Sequence, residues 1–122
     1  MCEMLLSINP EYVEKIINGE KIYEFRKIKA KKRPDKIVIY CTSPIMKIVG
    51  EAEVAEILED TPQNIWKETQ ALGGVDKDFF FKYYKNKKIA VAYKLKNIKK
   101  YKKAKVLADY GLTVAPQSFV YL

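Results

Sequence analysis

Asn18-Gly19-Glu20-Lys21-Ile22-Tyr23-Glu24-Phe25-Arg26 is the stretch from which the organisation of this chain is read. Asn18-Gly19 ends a helix, because glycine enters the left-handed region without a steric cost. The residues after it alternate as a strand does. Lys21, Tyr23 and Phe25 fall on one face by parity, and Ile22, Glu24 and Arg26 on the other. Three ionisable side chains, Lys21, Glu24 and Arg26, therefore enter a rigid sheet directly from a helix end. Such a trio can bind a polar ligand, although the same spacing also suits an exposed strand with an ion pair of negligible energy.

Upstream, Met4 to Ile8 reads as a first strand, closed by Asn9-Pro10, which caps the helix Glu11 to Asn18 and starts it with proline. Tyr12, Val13, Ile16 and Ile17 form the inner stripe of that helix. Downstream, Lys27 to Lys36 is a basic loop containing Pro34. Ile37 to Cys41 is a near-continuous apolar strand, expected to be buried on both faces. Thr42-Ser43-Pro44 turns the chain into a long strand, Ile48 to Leu58, in which Gly50 allows a bend or bulge. Thr61 caps a helix with Ile65, Trp66, Thr69 and Leu72 inward, ending at Gly73-Gly74. Asp76 caps another, with Phe79, Phe80, Tyr83 and Tyr84 inward, before the strands Ile89 to Lys96 and Gln117 to Leu122. About six strands with short helices that do not alternate strictly with them predict an α+β domain built on a small mixed or closed barrel.

The chain has 122 residues, 48% hydrophobic and 31% charged, with 5 Gly and 5 Pro spread as punctuation. It reads as one domain, 1–122, able to close a core without disulfides or metal. Cys2 and Cys41 sit in apolar stretches with no CxxC or Cys/His cluster, which points to a reduced, cytoplasmic protein without structural zinc. The sequence contains no histidine, which removes the commonest general base and imidazole ligand. No apolar run is long enough to span a membrane, and the N-terminus lacks a signal-peptide pattern. Glu51, Glu53 and Glu56 alternate like a solvated strand face, so no metal and no cofactor is expected.

Net charge is +8 with a pI near 9.4, which favours a polyanion such as nucleic acid or an anionic membrane surface. Arginine occurs only at Arg26 and Arg33, however, and a lysine-, isoleucine- and tyrosine-rich composition is also what AT-rich codons give any protein. The basic segments are the loop with Lys29, Lys31, Lys32 and Arg33, the stretch Lys82 to Lys88, and Lys94 to Lys105 with Lys99, Lys100, Lys102 and Lys103. Lysines interleaved with Tyr83, Tyr84, Tyr93 and Tyr101 suit a single-stranded RNA track. Spacing assigns Tyr83, Tyr84, Tyr93 and Trp66 to the core and leaves Tyr101 as the ring expected at the surface.

Gly-x-Lys-x-x-Glu-x-Arg, here Gly19, Lys21, Glu24 and Arg26, resembles the signature of the ASCH domain, a member of the PUA-like superfamily. The resemblance extends to Leu6-Ser7-Ile8, the helix Glu11 to Asn18, Tyr40-Cys41-Thr42-Ser43-Pro44, Val49-Gly50-Glu51 and Pro116-Gln117-Ser118-Phe119, as in small stand-alone ASCH proteins. It implies a β-barrel flanked by short helices, a cleft beside the first helix, and a role in RNA or nucleotide recognition. Lys21, Glu24 and Arg26 would face the cleft, with Ser43 and Gln117 or Ser118 as neighbours. One similar branch hydrolyses acetylcytidine with the motif lysine, a threonine at the place of Glu24, and a later glutamate at the place of Gly73-Gly74.

These residues lead to an RNA- or nucleotide-binding module in which Arg26 gives a bidentate contact, Glu24 accepts from an exocyclic amine and Lys21 supplies a point charge. An amidohydrolase acting on a modified nucleoside through Lys21 and Glu24, and a regulatory protein sensing a small ligand, are the alternatives. A carboxylate close to Lys21 raises its pKa and opposes a lysine base, so no turnover of acetylcytidine is expected. Partners are thus RNA, a nucleotide or a modified nucleoside, and no membrane.

Overall fold

The computed structural model describes residues 2–122. Its elements in chain order are β1 (Glu3–Ile8), α1 (Pro10–Ile17), β2 (Tyr23–Arg26), β3 (Lys36–Cys41), β4 (Lys47–Asp60), α2 (Pro62–Thr69), α3 (Lys77–Tyr83), β5 (Ala90–Lys105) and β6 (Phe119–Tyr121). Short 3-10 turns at Gln70–Leu72 and Leu107–Tyr110 follow α2 and β5. The strands form one mixed six-stranded sheet in the order β2-β5-β4-β3-β1-β6. Among the described residues only β1 and β3 run parallel. The sheet curls into a half-barrel flanked by short helices, in accord with the expected α+β domain on a small mixed barrel of about six strands. Among the described residues the edge strands β2 and β6 are not paired with each other, and Arg26 of β2 reaches across the seam to Ser118, just before β6.

Parity explains how β1 and β3 are buried on both faces. Met4, Leu6 and Ile8 with Ile37, Ile39 and Cys41 point into the curl, where Val13 and Ile16 of α1 meet them. Leu5, Val38 and Tyr40 point outward, under Leu107, Tyr110, Leu112 and Val120 from the tail. Each such aliphatic side chain contributes about 1.5–3 kcal/mol on burial. A third cluster joins Phe25 and Tyr23 to Ile65 of α2, to Phe80 of α3 and to Tyr84 at its C-cap. This cluster packs both helices against β2, and so places α3 beside the motif.

Several boundaries differ from the sequence reading. β2 starts at Tyr23 rather than Lys21, because the Ile22 amide donates to Leu72 of the 3-10 turn at 2.9 Å and leaves the ladder. β5 runs on to Lys105 instead of ending at Lys96, pairing along β4 across three register shifts. The last strand shrinks to Phe119–Tyr121. Two residues expected inward are exposed, Leu72 at 40% and Phe79 at 45%. Tyr101 is less free than expected. Its hydroxyl donates to Glu51 at 2.8 Å, and the ring packs in the outer cluster.

Candidate functional site

Asn9, which starts α1, does not cap it through its side chain. Its Oδ1 instead accepts from Thr42 Oγ1 at 3.2 Å, tying the β1–α1 junction to the end of β3. α1 then ends at Asn18, and the chain turns back so that the Glu20 and Lys21 amides both donate to the Lys15 carbonyl. This turn drives the Lys21 side chain inward, where it is 2% exposed.

Lys21 is a buried charge held on several sides. Its ammonium donates to the Gly73 carbonyl at 2.7 Å and lies 4.6 Å from the centroid of the Phe25 ring and 5.5 Å from that of Tyr12. Lys15 donates in parallel to the Gly74 carbonyl at 2.9 Å. The Gly73-Gly74 loop therefore holds two lysines by backbone oxygens. Gly74 is suited to this by two features: its φ is +72°, and a Cβ there would approach the Lys21 side chain to 2.8 Å. Burial pulls the Lys21 pKa down to about 8 and outweighs Glu24, which raises it, with Lys15 and Arg26 lowering it further. The expectation that the neighbouring carboxylate would hold this pKa up is thus overturned by desolvation.

Glu24 and Arg26 leave β2 on the same face and pair at 2.7 Å between Oε2 and Nη2. Arg26 also spans the open seam. Nη2 donates to the Ser7 carbonyl of β1 at 3.1 Å and Nη1 to Ser118 Oγ, before β6, at 3.1 Å. Nη2 has thereby spent both protons, so the guanidinium is a latch between sheet edges, and its fork is closed to a bidentate ligand. Its Nε is buried without a partner. Glu24 keeps Oε1 free of hydrogen bonds among the described residues.

These groups line a cleft of about 180 Å³ between the start of α1, β2 and α3. Lys21, Glu24 and Arg26 form its charged floor, with Ser7 and Asn9 at one side. Parity on a strand would have put Lys21 and Phe25 opposite Glu24 and Arg26. They converge because Lys21 lies before the ladder and is turned by the α1 C-cap. The opposite wall is aromatic, made of Tyr12, Phe79 and Tyr83. Phe79 and Tyr83 are stacked, with interplanar angle 7° and centroids 6.4 Å apart, and Tyr12 meets Phe79 at 6.0 Å. Helical spacing alone places all three in the core. The signal that could have separated them is the run Phe79-Phe80-Phe81, in which a helix cannot bury every ring on one side.

Of the other candidates, Ser118 reaches the site only through Arg26. Ser43 and Gln117 are exposed and not part of the cleft lining, the former in the turn after β3 and the latter before β6. Lys29, Lys31, Lys32 and Arg33 are exposed on the loop after β2, and Lys99, Lys100, Lys102 and Lys103 on β5. Of the carboxylates of β4, Glu51 accepts from Lys36 at 2.9 Å and from Tyr101, Glu53 accepts from Asn97 at 2.7 Å, and Glu59 pairs with Lys29 at 3.7 Å. Among the described residues, no helix is long and apolar enough to cross a membrane.

The family profile described as the ASCH domain matches residues 6–108. A crystal structure of ASCH from Zymomonas mobilis superimposes with a TM-score of 0.88 at 22% identity, covering 98% of this chain and 87% of that one. The chain is 25% identical over 96 residues to an ASCH domain-containing ribonuclease of Zymomonas mobilis, covering 78% of this chain and 65% of the relative. Two proteins of Ureaplasma parvum are also similar along 98% of this chain. One, called ATP synthase subunit alpha, is 27% identical, and the match takes up 15% of its length. The other, called large ribosomal subunit protein uL22, is 28% identical, and the match takes up 39%. The chain therefore spans a minor part of these two relatives and about two thirds of the third.

Proposed function

The chain belongs to the ASCH domain family, and from that premise we propose that it binds single-stranded RNA, taking one nucleotide of the strand into the cleft floored by Lys21, Glu24 and Arg26. The observation that carries this reading is the union, in one small concavity, of a stacked aromatic wall and a hydrogen-bonding charged floor. Single-stranded RNA is recognised by stacking unpaired bases on rings while their edges meet polar groups. The volume of about 180 Å³ lies below the roughly 300–1,000 Å³ of sites for drug-sized ligands, so it suits one planar base rather than a folded RNA. In this arrangement Phe79 and Tyr83 carry the ring, Glu24 Oε1 accepts from a base N–H, and Lys21 supplies the donor and the charge. Arg26 orients Glu24 and closes the seam behind it. Two relatives bear names tied to RNA, a ribonuclease and a ribosomal protein, which supports RNA as the ligand class.

The test is fluorescence anisotropy of a labelled RNA 12-mer of mixed sequence against its duplex. Tighter binding of the single strand, lost in Phe79→Ala, supports the reading. Equal binding of both forms would reject it.

One observation favours a second reading, in which the cleft also cleaves its ligand. A lysine with a pKa of about 8 is neutral in about one molecule in ten at pH 7, and a buried amine of this kind can take a proton from an attacking hydroxyl or water. The attacked bond would be an RNA phosphodiester or the amide of an acylated nucleoside. Incubation of RNA and of acetylcytidine with the protein, followed by mass spectrometry, separates these. Products that vanish in Lys21→Ala would establish catalysis, and intact substrates would leave binding alone.

A further inference from the structure

We infer that the phosphates flanking the bound nucleotide run along the loop 27–35, and not along the lysine-bearing ribbon of β4 and β5. This inference rests on the reading of the cleft as an RNA site. The cleft holds two buried or half-buried cations, and neither is free for a strand of phosphates. Lys21 is enclosed and bonded to Gly73, and Arg26 has committed its guanidinium to Glu24, Ser7 and Ser118. The backbone charge of RNA must be met next to the cleft.

Residues 27–35 carry five cations, Lys27, Lys29, Lys31, Lys32 and Arg33, against one carboxylate. That carboxylate, Asp35, is turned away to accept from the Cys2 amide at 2.9 Å. The loop is also built as a fixed surface. The Ala30 amide donates to Tyr93 Oη at 3.1 Å, the Lys32 amide donates to Tyr121 Oη at 2.8 Å, and that hydroxyl donates back to the Lys32 carbonyl at 3.1 Å. Ala30 and Pro34 are buried while the five cationic side chains are exposed, and of these Lys29 pairs with Glu59 of β4 at 3.7 Å. A basic segment pinned by two tyrosines loses little conformational freedom on binding, which favours affinity.

Its first cation joins it to the cleft. The Lys27 ammonium lies 4.7 Å from the centroid of Tyr83, a ring of the aromatic wall. A phosphate attached to a nucleotide stacked there would meet Lys27 first. The ribbon lacks both features. Lys94, Lys96 and Lys99 of β5 stand opposite Glu56, Glu53 and Glu51 of β4, so in this half of the ribbon the positive charge is interleaved with carboxylates that repel phosphate, whereas Lys100 stands opposite Gly50. Although β5 is paired with β2, none of the ribbon's lysines lines the cleft.

The salt dependence of binding reads the number of phosphates neutralised, with a slope of about 0.7 per contact on single strands. The experiment measures the affinity of an RNA 12-mer between 50 and 300 mM salt for the wild type and three variants. These are Lys27→Ala/Lys31→Ala/Lys32→Ala/Arg33→Ala in the loop, Lys99→Ala/Lys100→Ala/Lys102→Ala/Lys103→Ala in the ribbon, and Lys85→Ala/Lys87→Ala/Lys88→Ala after α3. All the substituted side chains are exposed, and Lys32 is held through its backbone, so the variants should fold, as circular dichroism would verify. The expected result is a slope lowered by about 2–3 in the loop variant and by less than about 1 in the others. A larger reduction in the ribbon or the α3 variant overturns the inference while leaving the cleft reading intact. No single-strand binding by the wild type overturns both.

Discussion

The Lys21 ammonium is bonded to the carbonyl of Gly73, 52 residues later in the chain, at 2.7 Å. The motif is therefore completed by a loop that contributes only backbone oxygen and the space that Gly74 leaves for the lysine stem. Gly74→Ala would place a methyl group 2.8 Å from three carbons of Lys21 at a φ of +72°. The left-handed backbone alone costs about 1–2 kcal/mol with a side chain, and the clash adds to it. Urea denaturation should show a loss of at least that size together with weakened RNA binding. An unchanged midpoint would mean that the loop shifts freely and does not set the lysine.

The lowered pKa of Lys21 has a stability signature. In the folded protein the amine releases its proton near pH 8, whereas the unfolded chain holds it to about 10.5. Below pH 8 both states are protonated and the cost of burying the charge is fully present. Between pH 8 and 10.5 the unfolded state binds more protons, so stability rises with pH. Denaturation from pH 7 to 9.5 should show a rise of up to about 2 kcal/mol that is absent in Lys21→Met. A flat wild-type profile would show that the ammonium is not desolvated.

Glu24 and Arg26 are coupled, being partly buried and 2.7 Å apart. Arg26→Ala leaves a carboxylate without its partner and opens the seam to Ser7 and Ser118, with an expected loss of about 2–4 kcal/mol. Adding Glu24→Gln to that variant should restore part of the loss. A double-mutant cycle giving additive losses would contradict the pairing.

Adjacent phenylalanines separate function from folding. Phe79 is 45% exposed and Phe80 1%. Phe79→Ala should leave stability within about 0.5 kcal/mol yet weaken RNA binding by about 1–3 kcal/mol, the value of one stacked base. Phe80→Ala should cost about 3–5 kcal/mol of stability. Equal effects on binding at matched folded fractions would remove the aromatic wall from the account.

Much of this was legible before the structure. Asn18-Gly19 marked the end of α1, the apolar run of β3 announced two-sided burial, and the resemblance of Gly19, Lys21, Glu24 and Arg26 to the ASCH signature implied the charged cluster that their spacing alone left open. Illegible parts depended on tertiary pairing. The Ile22 amide leaves the sheet for Leu72, which removes Lys21 from strand parity, and no local pattern encodes that. Phe79 and Tyr83 have the helical spacing of core residues, and their exposure follows from where α3 lies against β2. The role of Arg26 could not be read either, because Ser7 and Ser118 are distant in sequence and meet it only across the open seam.

The central claim is that RNA enters the cleft itself, and the most direct measurement is a nuclear magnetic resonance titration of the labelled protein with a short single-stranded RNA. The largest shifts are expected on the Lys21 amine, the backbone of Glu24 to Lys27, and the rings of Tyr12, Phe79 and Tyr83, with smaller shifts along residues 27–35. Shifts confined to β4 and β5, with the Lys21 and Phe79 signals unmoved at saturation, would contradict it.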